Sequence, residues 1–94
     1  MQSDQEERID VAVRLARAAE SDGDIPLARN YLAIALLRSR QLVKKVRNEE
    51  TLRLLSDSYK RFGDFSAKEG KTRAAKAAYR KAEVIIRKLE AGKY

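Results

Sequence analysis

Residues 25–37, IPLARNYLAIALL, are the most apolar run in the chain and hold its only proline, Pro26. At 100° per residue, Leu27, Ala28, Tyr31, Leu32, Ala33, Ile34, Ala35, Leu36 and Leu37 point to nearly every side. A helix that is apolar all round is one with neighbours on several faces. The run therefore predicts a central helix with the remaining chain packed around it. It is too short for a membrane span, which needs about 18 apolar residues, and the longest unbroken stretch covers residues 31–37. The acidic, polar opening MQSDQEER is unlike a targeting segment. The chain is expected to be soluble and cytoplasmic, with no membrane partner.

The rest of the sequence is helical in character. Ala, Leu, Lys, Arg and Glu dominate the 94 residues, with only four Gly, and these are strong helix formers. β-branched residues never alternate over a useful length. One all-α domain, residues 1–94, is expected. Ser3 followed by Glu6 makes a capping-box pattern for a first helix over about 4–21, and Gly23 suits its left-handed C-terminal cap. Asp24 is the natural N-cap of a second helix over about 25–47, with Pro26 tolerated in its first turn. No Gly or Pro marks the next boundary. The stripe Ala35, Ser39, Leu42, Val46 does not run on into Leu52, Leu55, Tyr59, Phe62, however. On one unbroken helix the two would lie roughly 150° apart. A turn capped by Asn48 resolves this and opens a third helix over about 49–69. Gly63 inside that helix costs roughly 1 kcal/mol relative to Ala, which predicts close approach of a neighbour. Thr72 is read as the N-cap of a fourth helix over about 72–90, whose Ala75, Ala78, Tyr79, Ala82, Ile85, Ile86, Leu89 stripe is the cleanest in the chain.

Two segments repeat. Residues 15–35 align with 62–82, matching Gly23 to Gly70, Ala28 to Ala75, Leu32 to Tyr79 and Ala35 to Ala82. In the second copy Tyr59, Phe62, Gly63, Ser66, Gly70, Ala75, Tyr79 and Ala82 stand where tetratricopeptide repeats carry their aromatic, Leu-Gly, aromatic, turn Gly, Ala, aromatic and Ala positions. The chain thus resembles two imperfect tetratricopeptide-like hairpins. The two turn glycines are 47 residues apart, against about 34 in that family, so a long second helix is expected. The resemblance implies a peptide groove lined by the first helix of each hairpin. Its candidate residues here are Val13, Arg17, Asp57, Lys60, Asp64 and Lys68. The family's Lys/Asn carboxylate clamp is missing, because the only asparagines, Asn30 and Asn48, fall elsewhere.

Chemistry is constrained by what the chain lacks. There is no His and no Cys, which removes the commonest general base, the commonest transition-metal ligand and all thiolate chemistry. The carboxylate groups Asp22/Asp24, Glu49/Glu50 and Asp64/Glu69 match no acid–base or metal motif. Neither an enzyme nor a cofactor is expected. The net charge of +7 is lopsided, with −4 in residues 1–24 and +11 in residues 25–94. The basic face of the fourth helix (Arg73, Lys76, Arg80, Lys81, Arg87, Lys88) lacks an aromatic platform, so a solvated surface is expected there and nucleic acid is not an expected partner. Leu36, Leu54 and Phe65 are wider than the stripes need, and self-association is a further expectation. Two readings stay open: a non-catalytic helical scaffold of designed origin, with no evolved activity and no required partner, and a natural tetratricopeptide-like peptide-binding adaptor.

Overall fold

The computed structural model describes the backbone of residues 2–94 and the side chains from Asp4 onward. Four helices account for the fold: α1 (Gln2–Ser21), α2 (Ile25–Lys45), α3 (Glu49–Lys68) and α4 (Thr72–Glu90). They form two helix–turn–helix hairpins, α1–α2 and α3–α4, and no strand occurs among the described residues. The capping box expected at Ser3 lies outside the described side chains.

Both hairpin turns use the same device. Gly23 and Gly70 adopt left-handed backbone, at φ 80° and 78°, where a side chain would be strained. The Gly23 N–H donates to the Glu20 carbonyl and the Asp24 N–H to Ala19, and Gly70 and Lys71 do the same to Ala67 and Ser66. These are paired C-terminal closures that satisfy the last carbonyls of a helix. The two turns differ in how they start the next helix. The Asp24 carboxylate accepts from the Leu27 N–H at 3.2 Å, so one residue closes α1 and caps α2. Lys71 holds the matching position before α4 and makes no side-chain cap. Thr72 is the first helical residue, one place too late for the N-cap role expected of it.

The link from α2 to α3 is built without glycine. Val46 turns extended, and Asn48 and Thr51 form a reciprocal capping box. The Asn48 side chain accepts from the Thr51 N–H at 2.9 Å, while the Thr51 hydroxyl accepts from the Asn48 N–H at 3.1 Å. The Thr51 hydroxyl also donates to the Val46 carbonyl, which pins the last turn of α2 at Lys45 rather than at residue 47. At 21 residues α2 is the longest helix, by one residue over α1 and α3. The extra spacing between the turn glycines is therefore shared by α2 and α3.

The helices pack in chain order: α1 on α2, α2 on α3, α3 on α4. The 25–37 run reads as the surrounded element; α2 and α3 each pack against two helices, and α3 is the more deeply buried of the two. On α2 only the stripe Ala28, Leu32, Ala35, Ser39, Leu42, Val43 is buried. Ile34 and Leu37 are 39% and 53% exposed, because no element covers those faces. α3 buries nine residues and does so on two sides: Thr51, Leu52, Leu55, Ser56, Ser58, Tyr59, Gly63, Phe65 and Ser66. Its hydropathy hides this, because small polar residues serve as spacers. Ser39 of α2 and Ser58 of α3 meet hydroxyl to hydroxyl at 2.7 Å, and Ser39 also donates to the Ala35 carbonyl. Gly63 plays the expected role. A Cβ there would sit 2.8 Å from the Tyr79 ring, so its absence lets the α4 aromatic lie against the α3 backbone.

Apolar clusters fill the seams. Ala16, Ala19, Ala28, Leu32 and Phe65 pack near the hairpin turns, and Ile9, Ala12, Ala35 and Leu42 further along α1 and α2. Val43, Leu52, Leu55, Tyr59, Ala82 and Ile85 join α2, α3 and α4. Phe65, wider than the inner stripe needs, is a core residue. No buried side-chain N or O atom among the described residues lacks a partner.

Candidate functional site

Chain-order packing of antiparallel helices makes α1 and α3 run parallel, as do α2 and α4. The backbone measures 39 × 30 × 15 Å. The short dimension is two helices deep, with α1 and α3 in one layer and α2 and α4 in the other. Each layer carries a trough between its two helices.

The α1/α3 trough contains the residues expected of a peptide groove. At its turn end a cleft of about 170 Å³ is lined by Val13, Arg17 and Glu20 of α1 and by Arg61, Asp64 and Lys68 of α3, over a floor of Ala16, Leu32 and Phe65. It continues toward the α2–α3 link as a hollow of about 100 Å³, which includes Glu6, Asp10, Leu54 and Asp57. Arg17, Asp57, Asp64 and Lys68 are thus brought onto one surface. Lys60 is exposed on α3 and does not line it. The positions 57, 61, 64 and 68 share one helical face by their spacing of four, three and four residues. Lys60, three residues from Asp57 and four from Asp64, stands at the edge of that face rather than within it. Arg61 and Glu20 were missed by sequence reasoning, although the same spacing, with 13, 17 and 20 on α1, carries the signal for both.

Charges in the trough alternate in sign. Lys68 Nζ reaches Glu20 at 3.5 Å, joining α1 to α3 across the turn end. Asp64 accepts the Tyr79 hydroxyl at 2.5 Å. That hydrogen bond, with burial and the Asp64 charge added, raises the Tyr79 phenol above its ordinary value. Beside the turns, Arg29 of α2 grips Glu69, the C-cap of α3, through both carboxylate oxygens. The bond from Arg29 holds the Glu69 carboxyl below its usual range, against a smaller opposing effect of burial, and the charges of Arg29 and Lys71 add to the lowering. Bidentate pairs of this kind fix geometry as well as charge.

No family model, curated protein or solved structure matches the chain.

No three carboxylates converge among the described residues, and no described helix is long and apolar enough to cross a membrane. What the α1/α3 trough offers is a shallow surface of alternating charge over two apolar contacts, Leu32 and Phe65. Such a surface can hold an extended chain by ion pairs and one or two side-chain anchors.

Proposed function

We propose that this chain is a non-catalytic helical scaffold that acts by binding, and that its binding surface is the α1/α3 trough. One observation carries the reading: Arg17, Arg61 and Lys68 alternate there with Glu20, Asp57 and Asp64 around the Ala16, Leu32 and Phe65 floor. A partner able to use it is a peptide of mixed charge with an apolar anchor. The chain-order packing of hairpins, with their first helices on one layer, supports a tetratricopeptide-like arrangement of this kind. Selection from a random peptide display library tests it. The enriched peptides are expected to bind the wild-type chain and to weaken about tenfold on Lys68→Glu. Failure to enrich any peptide, or binding indifferent to Lys68→Glu and Arg61→Glu, rejects the proposal.

A second reading, a designed scaffold with no ligand of its own, rests on different facts. The four helices have 20, 21, 20 and 19 residues. Every buried side-chain polar atom among the described residues is paired. Empty peptide selections would favour this second reading.

A further inference from the structure

The opposite layer carries a second trough of different chemistry. Its floor is α3, presenting Leu55, Tyr59 and Phe62; α4 walls it along its length, and α2 closes one end through Leu36. Two adjoining hollows of about 250 and 320 Å³ share Tyr59 and Lys81. The first is lined by Leu36, Phe62, Ala74 and Ala77, and the second by Leu55, Arg80, Val84 and Ile85. The lining is almost wholly apolar, and Val84 stands 51% exposed beside it. Ammonium and guanidinium groups edge it. Lys81 lies 5.6 Å from the Tyr59 ring centroid, and Arg80 flanks the second hollow. Exposed Arg40 and Lys44 stand four and eight residues beyond Leu36, on its face of α2.

The two wall helices are also where the positive charge of the molecule resides. α2 holds five bases and no acid, and α4 six bases and two acids, so together they net +9. α1 and α3 together net −2. The two acids of α4, Glu83 and Glu90, lie off the trough, and Glu83 pairs with Arg87.

We propose that the α2/α4 trough is a docking site for an acidic amphipathic helix of a partner protein. Two helices resting on a third leave a channel whose fitting occupant is another helix, at the usual separation of about 8–10 Å. Its apolar stripe covers Leu36, Phe62, Ala77 and Val84, and carboxylates on both its flanks meet Arg40, Arg80 and Lys81. This is helix-in-groove recognition, with anchors at i, i+3, i+4 and i+7. The apolar floor favours a helix over a nucleic acid, since phosphates gain nothing by covering it. Charge complementarity favours an acidic partner over a basic or neutral one. The site is independent of the α1/α3 trough.

The test uses the whole chain and a labelled synthetic helix with Leu at the anchor positions and Glu on its flanks. A Lys-flanked counterpart, a mixed-sequence DNA duplex and phosphatidylserine vesicles are run beside it. Fluorescence anisotropy is expected to show micromolar binding of the Glu helix only. Ala77→Glu, at an exposed helical position that tolerates the change, and Lys81→Glu are each expected to weaken it about tenfold. Lys68→Glu in the other trough leaves it unchanged. Circular dichroism checks that each variant is folded. Equal binding of both helices, binding unaffected by Ala77→Glu, or tighter binding of DNA or vesicles would each overturn the proposal. So would sedimentation showing a dimer of the chain that Ala77→Glu dissolves, since a second copy would then be the occupant.

Discussion

The buried hydroxyl pair at the α2–α3 seam is unequal in a way that substitution can expose. Ser39 donates to the Ala35 carbonyl and accepts from Ser58. Removing the Ser58 hydroxyl leaves Ser39 with a partner. Removing the Ser39 hydroxyl leaves that of Ser58 buried without one, at a cost of about 1–3 kcal/mol. Ser39→Ala is therefore expected to destabilise more than Ser58→Ala in urea unfolding, with the double alanine variant recovering part of the loss. The Arg29–Glu69 pair sets a different residue-scale signature. Because its folded pKa is depressed, Glu69 contributes stability that is present above the unfolded carboxylate value and is lost as pH falls through the folded one. Glu69→Gln should lower the melting temperature at neutral pH. The gap from wild type should close once the pH falls well below about 4. A gap that persists in acid would mean the pair acts through packing instead.

At the scale of elements, the two hairpin turns provide an internal comparison. They share a left-handed glycine and the same paired closure, but only the first has an acid at the capping position. Lys71→Asp gives α4 the cap that Asp24 gives α2, and should stabilise the protein by about 0.5–1 kcal/mol in thermal melts. An unchanged or lowered melting temperature would show that the second turn relies on Lys71 near Glu69, 3.8 Å away. The same turns explain why helix number and boundaries were legible in the sequence. Asp24, Asn48, Gly23 and Gly70 act within a few residues of themselves, so local chemistry decides them. Which of the two inner helices is the more deeply buried was not legible. Ser56 and Ser58 read as polar, yet they are buried where neighbours come close. The 25–37 run reads as surrounded, yet half of it faces solvent. Burial of that kind is decided by partners far away in the chain. Of the residues that the tetratricopeptide resemblance places in a groove, Val13, Arg17, Asp57, Asp64 and Lys68 line the α1/α3 trough. Lys60, expected in the groove with them, stands at the edge of the lining face of α3 and does not line the trough.

For the whole molecule, the two-layer arrangement separates two surfaces that a linear sequence interleaves. Residues of α2 and α4 alternate along the chain with those of α1 and α3, so the net charge alone does not reveal that one layer is strongly basic and the other nearly balanced. That separation is what gives the two troughs distinct chemistries, one of mixed sign and one apolar with cationic edges. The order of packing has a kinetic consequence as well. Each helix rests on the next one in the chain, and among the described residues no backbone contact joins α1 to α4. The contacts that must form are therefore separated by a single short connection. Closing such short loops costs little entropy, and the search for the native arrangement can proceed hairpin by hairpin. Helical domains of this local topology fold in microseconds to milliseconds, with either hairpin able to serve as the nucleus on which the other condenses.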